Sequence, residues 1–466
     1  MAYTTVYVVS NAMLNGLEGV CEMSERGGKN SILTMRYATE FRCIGDKCPN
    51  DCCHDWDIMV DKKTFLNLRR LHQSIPDGSK IFQQGVKRIK DNSSKSRYAS
   101  LQMKENGDCF FLDANRLCEI YKSFGGGNLG ETCKNFPRKL TDNFGQVELI
   151  IDLSCPESAR MCLLGQKSTE LVEVQKKIIE GYSKKMDHLP NSKTLKPYFQ
   201  YRNEIREVLL LLANTAQYPM VGRIYLMLYF AQRVRSYFHS ESEVCPEEML
   251  VEEVERIANP QNHSQLVKQF FEIPPDQRSS AATTLVMLLF RFKNLRTNDE
   301  SIYKNYLKLI FDAYGIDLDN ESESLNTEVF SPLIDRYIEQ RHILEGAYNE
   351  RLEHYMGKLF TYSCFKYHYI TAKDLVFYLH SITSLIWLER FLLIMHPETK
   401  KITEELKRGT KEQGQEKRLD DVMVEAVYRT RRVFDHWDRL GLDMLSQALD
   451  KHQLRDFDQL TKFVRS

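Results

Sequence analysis

Two kinds of hydrophobic pattern divide this chain. From about residue 165 onward, apolar residues recur every three or four positions over long stretches. That spacing puts them on one face of an α-helix. The helical stretches run roughly over 167–186, 198–216, 219–238, 246–258, 280–295, 300–314, 331–366, 371–396, 418–437 and 440–463. Pro260, the pair Pro274-Pro275 and the polar run Asp317–Thr327 interrupt them, because proline ends a helix and polar runs loop out. The highly charged segment Lys407–Lys417 reads as an exposed loop or frayed helix.

Ahead of residue 165 the pattern is shorter and mixed. Residues 1–34 look weakly ordered, with one β-like run at Thr5–Val9. Asp61 is placed to cap a helix whose apolar face carries Phe65, Leu68 and Leu71. Residues 91–97 read as a surface loop. Val147, Leu149, Ile151 and Leu153 alternate with Glu148, Ile150 and Asp152, the period-two signature of a strand, and it leads straight to Cys155. The expected fold is therefore mostly α: a cysteine-rich α+β region followed by a larger α-helical domain. The expected division is 1–34, 35–164 and 165–466, with a subdivision of the last part near 260–275.

Composition narrows the function classes. Lys+Arg and Asp+Glu both number 64 in 466 residues, which argues against a general nucleic-acid binder resting on a basic surface. The N-terminus lacks the basic start and long apolar core of a secretory signal. The most apolar stretch, Leu375–Met395, is interrupted by His380, Glu389 and Arg390. Charge in a membrane span is costly, so this stretch reads as a buried helix. No membrane or nucleic-acid partner is expected, and the cytoplasm is the expected location.

Cysteine usage is the strongest chemical signal. Ten of the twelve cysteines fall within the first 162 residues, and eight of those form two groups. One is Cys43-x4-Cys48-x3-Cys52-Cys53, and the other is Cys109-x8-Cys118-x14-Cys133-x21-Cys155. Soft thiolates select zinc or iron–sulfur clusters, and a reducing compartment disfavours disulfides. Adjacent side chains diverge, so Cys52 and Cys53 either split between two centres or divide into one ligand and one packing residue. Cys21, Cys162, Cys245 and Cys364 read as buried small hydrophobes. His54 reads as a polar neighbour of Cys53 rather than a ligand. The run 125–130, GGGNLG, matches G-x-G-x-x-G but lacks the strand and helix context of a dinucleotide site, and reads as a loop between ligand candidates.

The residues between the cysteines carry a resemblance. CFFLDANRLCEIY (109–121) followed by TCKNFPR (132–138) is similar to the cysteine-cluster signature of YkgJ-type proteins. With FRCIGDKCPNDCCHDWDIMVD (41–61) and LSCPESAR (153–160), the whole resembles the flagellin lysine-N-methylase (FliB) family. The likeness continues loosely around 201–223 and 351–360. Two departures are Leu129-Gly130, where the family tends to Leu-Pro, and His54-Asp55-Trp56, where it often has a Lys-Gly-Trp-like run.

The resemblance implies an enzyme that uses S-adenosylmethionine to methylate lysines of flagellin, a component of the bacterial flagellum. It also implies an iron–sulfur centre of the [4Fe-4S] type, with zinc as the alternative. Its candidate metal ligands are Cys43, Cys48, Cys52, Cys53, Cys109, Cys118, Cys133 and Cys155. Eight thiols exceed the four that one cluster takes, which leaves either two centres or a partly structural set. Neither the S-adenosylmethionine site nor the lysine-deprotonating group is legible. A radical Cys-x3-Cys-x2-Cys motif is absent from the sequence. The competing reading is a non-catalytic metal-binding interaction protein of the YkgJ-like group.

Overall fold

The computed structural model describes residues 31–54, 58–89, 97–180, 182, 186–189, 201–239, 246–293, 299–318, 327–371, 374–435 and 461–464. The protein is mostly α-helical, with its strands in the cysteine-bearing front part. Two sheets form there. The larger is mixed and has five strands. They are β1 (Ser31–Met35), β5 (Arg138–Asn143), β6 (Gln146–Ile151), β7 (Leu171–Gln175) and β8 (Asp187–His188), in the order β7-β1-β6-β5-β8. The smaller contains β2 (Met59–Val60), β3 (Val86–Arg88) and β4 (Ala99–Leu101), in the order β2-β4-β3.

Strands β5 and β6 form a hairpin closed by Phe144 (φ 51°) and Gly145 (φ 101°). Two successive positive φ angles match the right-handed twist of the flanking strands, and glycine accepts the second at no steric cost. β6 then runs parallel to β1, with Ile32 opposite Val147 and Thr34 opposite Leu149. The β6 residues from Glu148 to Ile151 are buried on both faces. One face packs apolar side chains, and the other hides charge that must be paired. Glu148 receives two bonds from the Arg206 guanidinium, at 2.6 and 3.1 Å, and one from Asn143 at 3.0 Å. Asp152, just past the strand, meets Lys366 Nζ at 2.9 Å and Lys139 Nζ at 3.1 Å.

Among the helices, α2 (Lys62–Gln73) begins where the sequence places it, with the Asp61 carboxylate accepting from the Thr64 N–H at 2.9 Å. The front part adds α1 (Arg36–Glu40), α3 (Gly78–Gly85), α4 (Glu119–Phe124), α5 (Glu131–Asn135) and α6 (Pro156–Leu164). The helical body follows as α7 (Arg202–Ala213), α8 (Met220–His239), α9 (Pro246–Ala258), α10 (Pro260–Glu272), α11 (Gln277–Lys293) and α12 (Asp299–Asp312). It ends with α13 (Thr327–Lys366), α14 (Leu375–Met395), α15 (Pro397–Lys407) and α16 (Gln415–Asp435).

Helix α14 is the hub of this body and packs against α8, α11, α13, α15 and α16. It buries 19 of its 21 residues. It is long and apolar enough to cross a membrane, but 89% of its most apolar window lies inside the protein. Its two charges are partnered. Glu389 and Arg431 are fully buried and joined by bonds of 2.6 and 3.0 Å, and Arg390 reaches Glu345 at 2.7 Å.

Two hydrophobic clusters result. The large one joins the five-stranded sheet, α6 and the helical body. A smaller one, with Ile58, Leu68, Phe82, Leu101, Phe111 and Ile120 among its members, lies under α2, α3, the three-stranded sheet and α4.

Several sequence expectations change. The described part of the expected helix 167–186 is not α-helical: Leu171–Gln175 is a strand antiparallel to β1, followed by a 3-10 turn. Its β-branched and polar residues satisfy the sheet edge, and this tertiary pairing overrides a weak helical spacing. Ser31–Met35 is an inner strand, not part of a weakly ordered leader. Pro260 starts a helix instead of only breaking one, since it occupies the first turn behind the Asn259 cap. Helix α15 was not foreseen. Thr5–Val9, residues 91–96, Cys21, Cys245 and nearly all of 440–463 lie outside the described residues.

Candidate metal centre

The polypeptide brings the two cysteine groups together through backbone pairing. The Cys109 N–H donates to the Cys53 carbonyl at 2.7 Å, and His54 and Asp108 form a bridge beside them. A second bridge joins Leu112 to Cys118. Cys155 caps α6, with Pro156 in the first turn. None of the ten described cysteines is in a disulfide.

Cys52 is the electrostatic hub. Its sulfur and that of Cys53 share a hydrogen bond. Its charge is felt at Cys48, Cys109, Cys118, Cys133 and Cys155. Cys43, at the exposed rim, acts on Cys48. Two neighbourhoods are visible. Cys53, Cys109, Cys118 and Cys133 all pack in the smaller hydrophobic cluster, and Cys53 and Cys133 each feel Cys109. Cys43, Cys48 and Cys155 lie on the other side, towards the helical body. There Cys155 belongs to the large core, Cys48 acts on Cys155, and Arg138 faces both Cys43 and Cys155.

Burial sets the acidity of these thiols. It pushes Cys109 up to about 11 and Cys155 to about 12. Burial also raises Cys48, Cys118 and Cys133, with neighbouring sulfurs adding to the effect. Cys52 alone is lowered, chiefly by the hydrogen bond from Cys53 and then by Arg432. As protons, these sites are costly to empty. A soft cation is the natural way to hold several thiolates close together. Among the described residues, no three His, Cys, Asp or Glu side chains converge at the spacing of a bound metal ion. The donor chemistry fits a thiophilic metal, and no ligand set is singled out by spacing.

Two residues around the thiols carry structural roles. His54 is not available as a ligand. Its Nδ1 lies 2.8 Å from Asp51 Oδ1 and its Nε2 lies 2.6 Å from Asp108 Oδ1, with Arg116 bonded to both acids. Asp55 and Trp56 lie outside the described residues. Arg432 of α16 was missed by the sequence reading. Its guanidinium donates to Ser154 O (3.0 Å), Asn50 Oδ1 (2.6 Å), Asn50 O (2.9 Å) and Asp51 O (3.2 Å). It therefore ties the Cys48–Cys53 loop and the turn before Cys155 to the helical body, across 382 residues of sequence. Only an apolar–basic alternation at the end of α16 hinted at it.

The glycine run is a loop, as expected: a 3-10 turn at Gly126–Asn128 separates α4 from α5, and no strand precedes it. Cys162 and Cys364 are buried in the large core. The cavity between β5, α7 and α14 is lined by Arg206, His368 and Tyr378 and holds about 10 Å³, room for one water rather than a cofactor.

These features define a class: a thiol-rich metal-chelating module on an α-helical body. Residues 42–156 match the family described as "CxxCxxCC: Putative zinc- or iron-chelating domain". Three curated proteins match over 128 residues, 27% of this chain. The Flagellar biosynthetic protein FliU of Salmonella muenchen is 31% identical, over 73% of its own length. The Lysine-N-methylases of Salmonella typhimurium and Salmonella choleraesuis are each 30% identical. In both of these the match spans 31% of the relative, about a third of its length. No solved structure matches. With 73% of FliU covered, the chain belongs to the family of FliU and the Lysine-N-methylases (FliB).

Proposed function

We propose that this protein is a cytoplasmic protein-lysine N-methyltransferase that moves methyl groups from S-adenosylmethionine to lysines of flagellin, with a thiolate-held metal centre in its front part. The observation that carries this reading is that the segment similar to the Lysine-N-methylases is the segment in which the two cysteine groups meet.

For the metal we propose two four-thiol sets. One is Cys53, Cys109, Cys118 and Cys133, and the other is Cys43, Cys48, Cys52 and Cys155. The divergence of adjacent side chains at Cys52 and Cys53 supports the split, as does the membership of the first set in the smaller core. A bound [4Fe-4S] cluster or zinc ion would supply positive charge that holds the thiolates deprotonated. The chain's own residues do the rest: Arg432 holds the two loops in register, and the aromatic bulk of Phe110 and Phe111 keeps the first set dry.

Methyl transfer requires a neutral lysine amine, whereas free lysine has a pKa of about 10.4. A channel that strips water from the amine, or a base beside it, must lower that barrier. Several of the most perturbed tyrosines are structural. Burial raises Tyr37, Tyr355 and Tyr378, and each hydroxyl is committed, to Ile151 O, Asp420 and Tyr367 O respectively.

The test is mass spectrometry of flagellin co-expressed with and without this chain. Methylated lysines appearing only with the chain support the proposal. Unmodified flagellin beside soluble, metal-loaded protein refutes it. In that case the second reading takes over, a metal-binding interaction protein, favoured by a match confined to the cysteine region.

A further inference from the structure

The stretch 61–97 contains ten Lys or Arg against three Asp and no Glu, in a chain whose charges otherwise balance. Eight of those ten cations are among the described residues, and all eight are exposed. Among the described residues, no ion pair joins any of them to a carboxylate. This cationic face is carried by α2, α3 and β3, on the outside of the smaller hydrophobic cluster, and it is independent of the thiols beneath.

An open groove of about 370 Å³ crosses it, within the size range of ligand clefts. Phe65, Phe82 and Val86 form its apolar floor, and Arg69, Lys87 and Arg88 form its rim. One wall is β3, which pairs only with β4 and is a sheet edge. Gln102 donates to Gly85 O and Ile89 donates to Tyr98 O, so Gly85, Lys87 and Ile89 turn their backbone groups towards β4. Antiparallel alternation turns the N–H and C=O of Arg88 the other way, to the open edge of the sheet.

We infer that this groove binds an acidic polypeptide segment, which lies extended along β3 and adds a strand to the sheet. Backbone bonds to Arg88 would set the register. Acidic side chains would lie over Arg69, Lys87 and Arg88, and an apolar one would sit on the Phe65–Phe82 floor. This is the strand-addition mode of peptide recognition. A lone lysine on an edge strand can serve merely to prevent aggregation. Three exposed cations without an ion pair, Arg69, Lys87 and Arg88, lining one apolar groove exceed that need. The rings also favour peptide over single-stranded nucleic acid, which needs open ring faces for base stacking. Phe65 is packed edge-on against Phe82 and Tyr98, at centroid distances of 5.1 and 5.2 Å. The Tyr98 ring is already covered by Arg88 and Lys62.

Fluorescence anisotropy on the full chain tests this with three labelled probes of equal charge. They are a peptide of about ten residues alternating Glu and Val, the same peptide with Pro replacing Val, and single-stranded DNA. The first is expected to bind tightest. The double substitution Lys87→Glu/Arg88→Glu, or Arg69→Glu on α2, weakens it by about tenfold or more, since like charges then face each other. The proline peptide, in which every second residue lacks the N–H that a strand donates, should bind at least about tenfold more weakly than the first. The inference is overturned by any of four outcomes: no binding of the first peptide at about 1 mM, equal binding by the charge-reversed variants, equal binding of the proline peptide, or tighter binding of DNA.

Discussion

Arg432 is the residue through which the helical body reaches the thiols, and Arg432→Ala should uncouple the two. The guanidinium makes four hydrogen bonds to Ser154, Asn50 and Asp51. Bonds of this charge-assisted kind contribute about 1.5–3 kcal/mol each in isolation. They share one cation and one ordering cost, and water can reach the exposed side of the loop, so the sum is not additive. A loss of about 2–4 kcal/mol of stability is expected, on the scale of one to two such bonds. Arg432→Lys keeps the charge but cannot span three carbonyls, because an ammonium lacks the planar fork. It should recover less than half of the loss. Urea unfolding measures the stability, and metal content after dialysis against a chelator reports whether the Cys48–Cys53 loop still holds its place. A variant within about 0.5 kcal/mol of wild type, the usual scatter of surface substitutions, with its metal retained would refute the reasoning. Recovery by lysine to the full wild-type level would show that charge, not geometry, matters.

Other expectations follow from the buried polar seams. Glu148→Gln strips the partner from Arg206 in a site where the carboxylate is 1% exposed; breaking such a pair costs about 3–5 kcal/mol. The double variant Glu148→Met/Arg206→Met should recover most of that in the same urea titration, and a single variant that unfolds like wild type would contradict the assignment. Acid should also destabilise the protein. Burial depresses His368 and His380 to about 4, with Arg206 adding to the effect at His368. The unfolded chain binds these protons near pH 6.5 and the folded one near pH 4. Stability is therefore full above about 6.5 and falls as pH drops towards 4, by at most about 3 kcal/mol per histidine. A flat profile over that window, measured by chemical denaturation, would contradict the burial of both rings.

Much of this architecture is visible in the sequence because periodicity is a local property. Asp61 with Phe65 and Leu68, and the alternation from Val147 to Leu153, each announce an element within a few residues. The edge strand at Leu171–Gln175 does not. Its partner is β1, some 140 residues earlier, and pairing at that distance leaves no local trace. Glu148 and Asp152 look like the solvent face of a strand until Arg206 and Lys366 arrive from helices far along the chain. The thiols were legible as a set from their spacing. Their grouping around Cys52, the commitment of His54 to Asp51 and Asp108, and the role of Arg432 depend on backbone pairing that composition does not encode. The cationic face was hidden by a net charge of zero, which averages over the whole chain.

The central claim, that the gathered thiols hold a metal, is tested most directly by the metal-to-protein ratio of anaerobically purified protein. Wild type and Cys364→Ser should carry the same amount of iron or zinc, because Cys364 is packed in the large core. Cys109→Ser and Cys133→Ser should lose metal and much of their solubility, since binding and folding are coupled. A brown colour bleached by dithionite identifies iron–sulfur, and a colourless protein with stoichiometric zinc identifies zinc. Equal metal content in all four proteins would contradict the account.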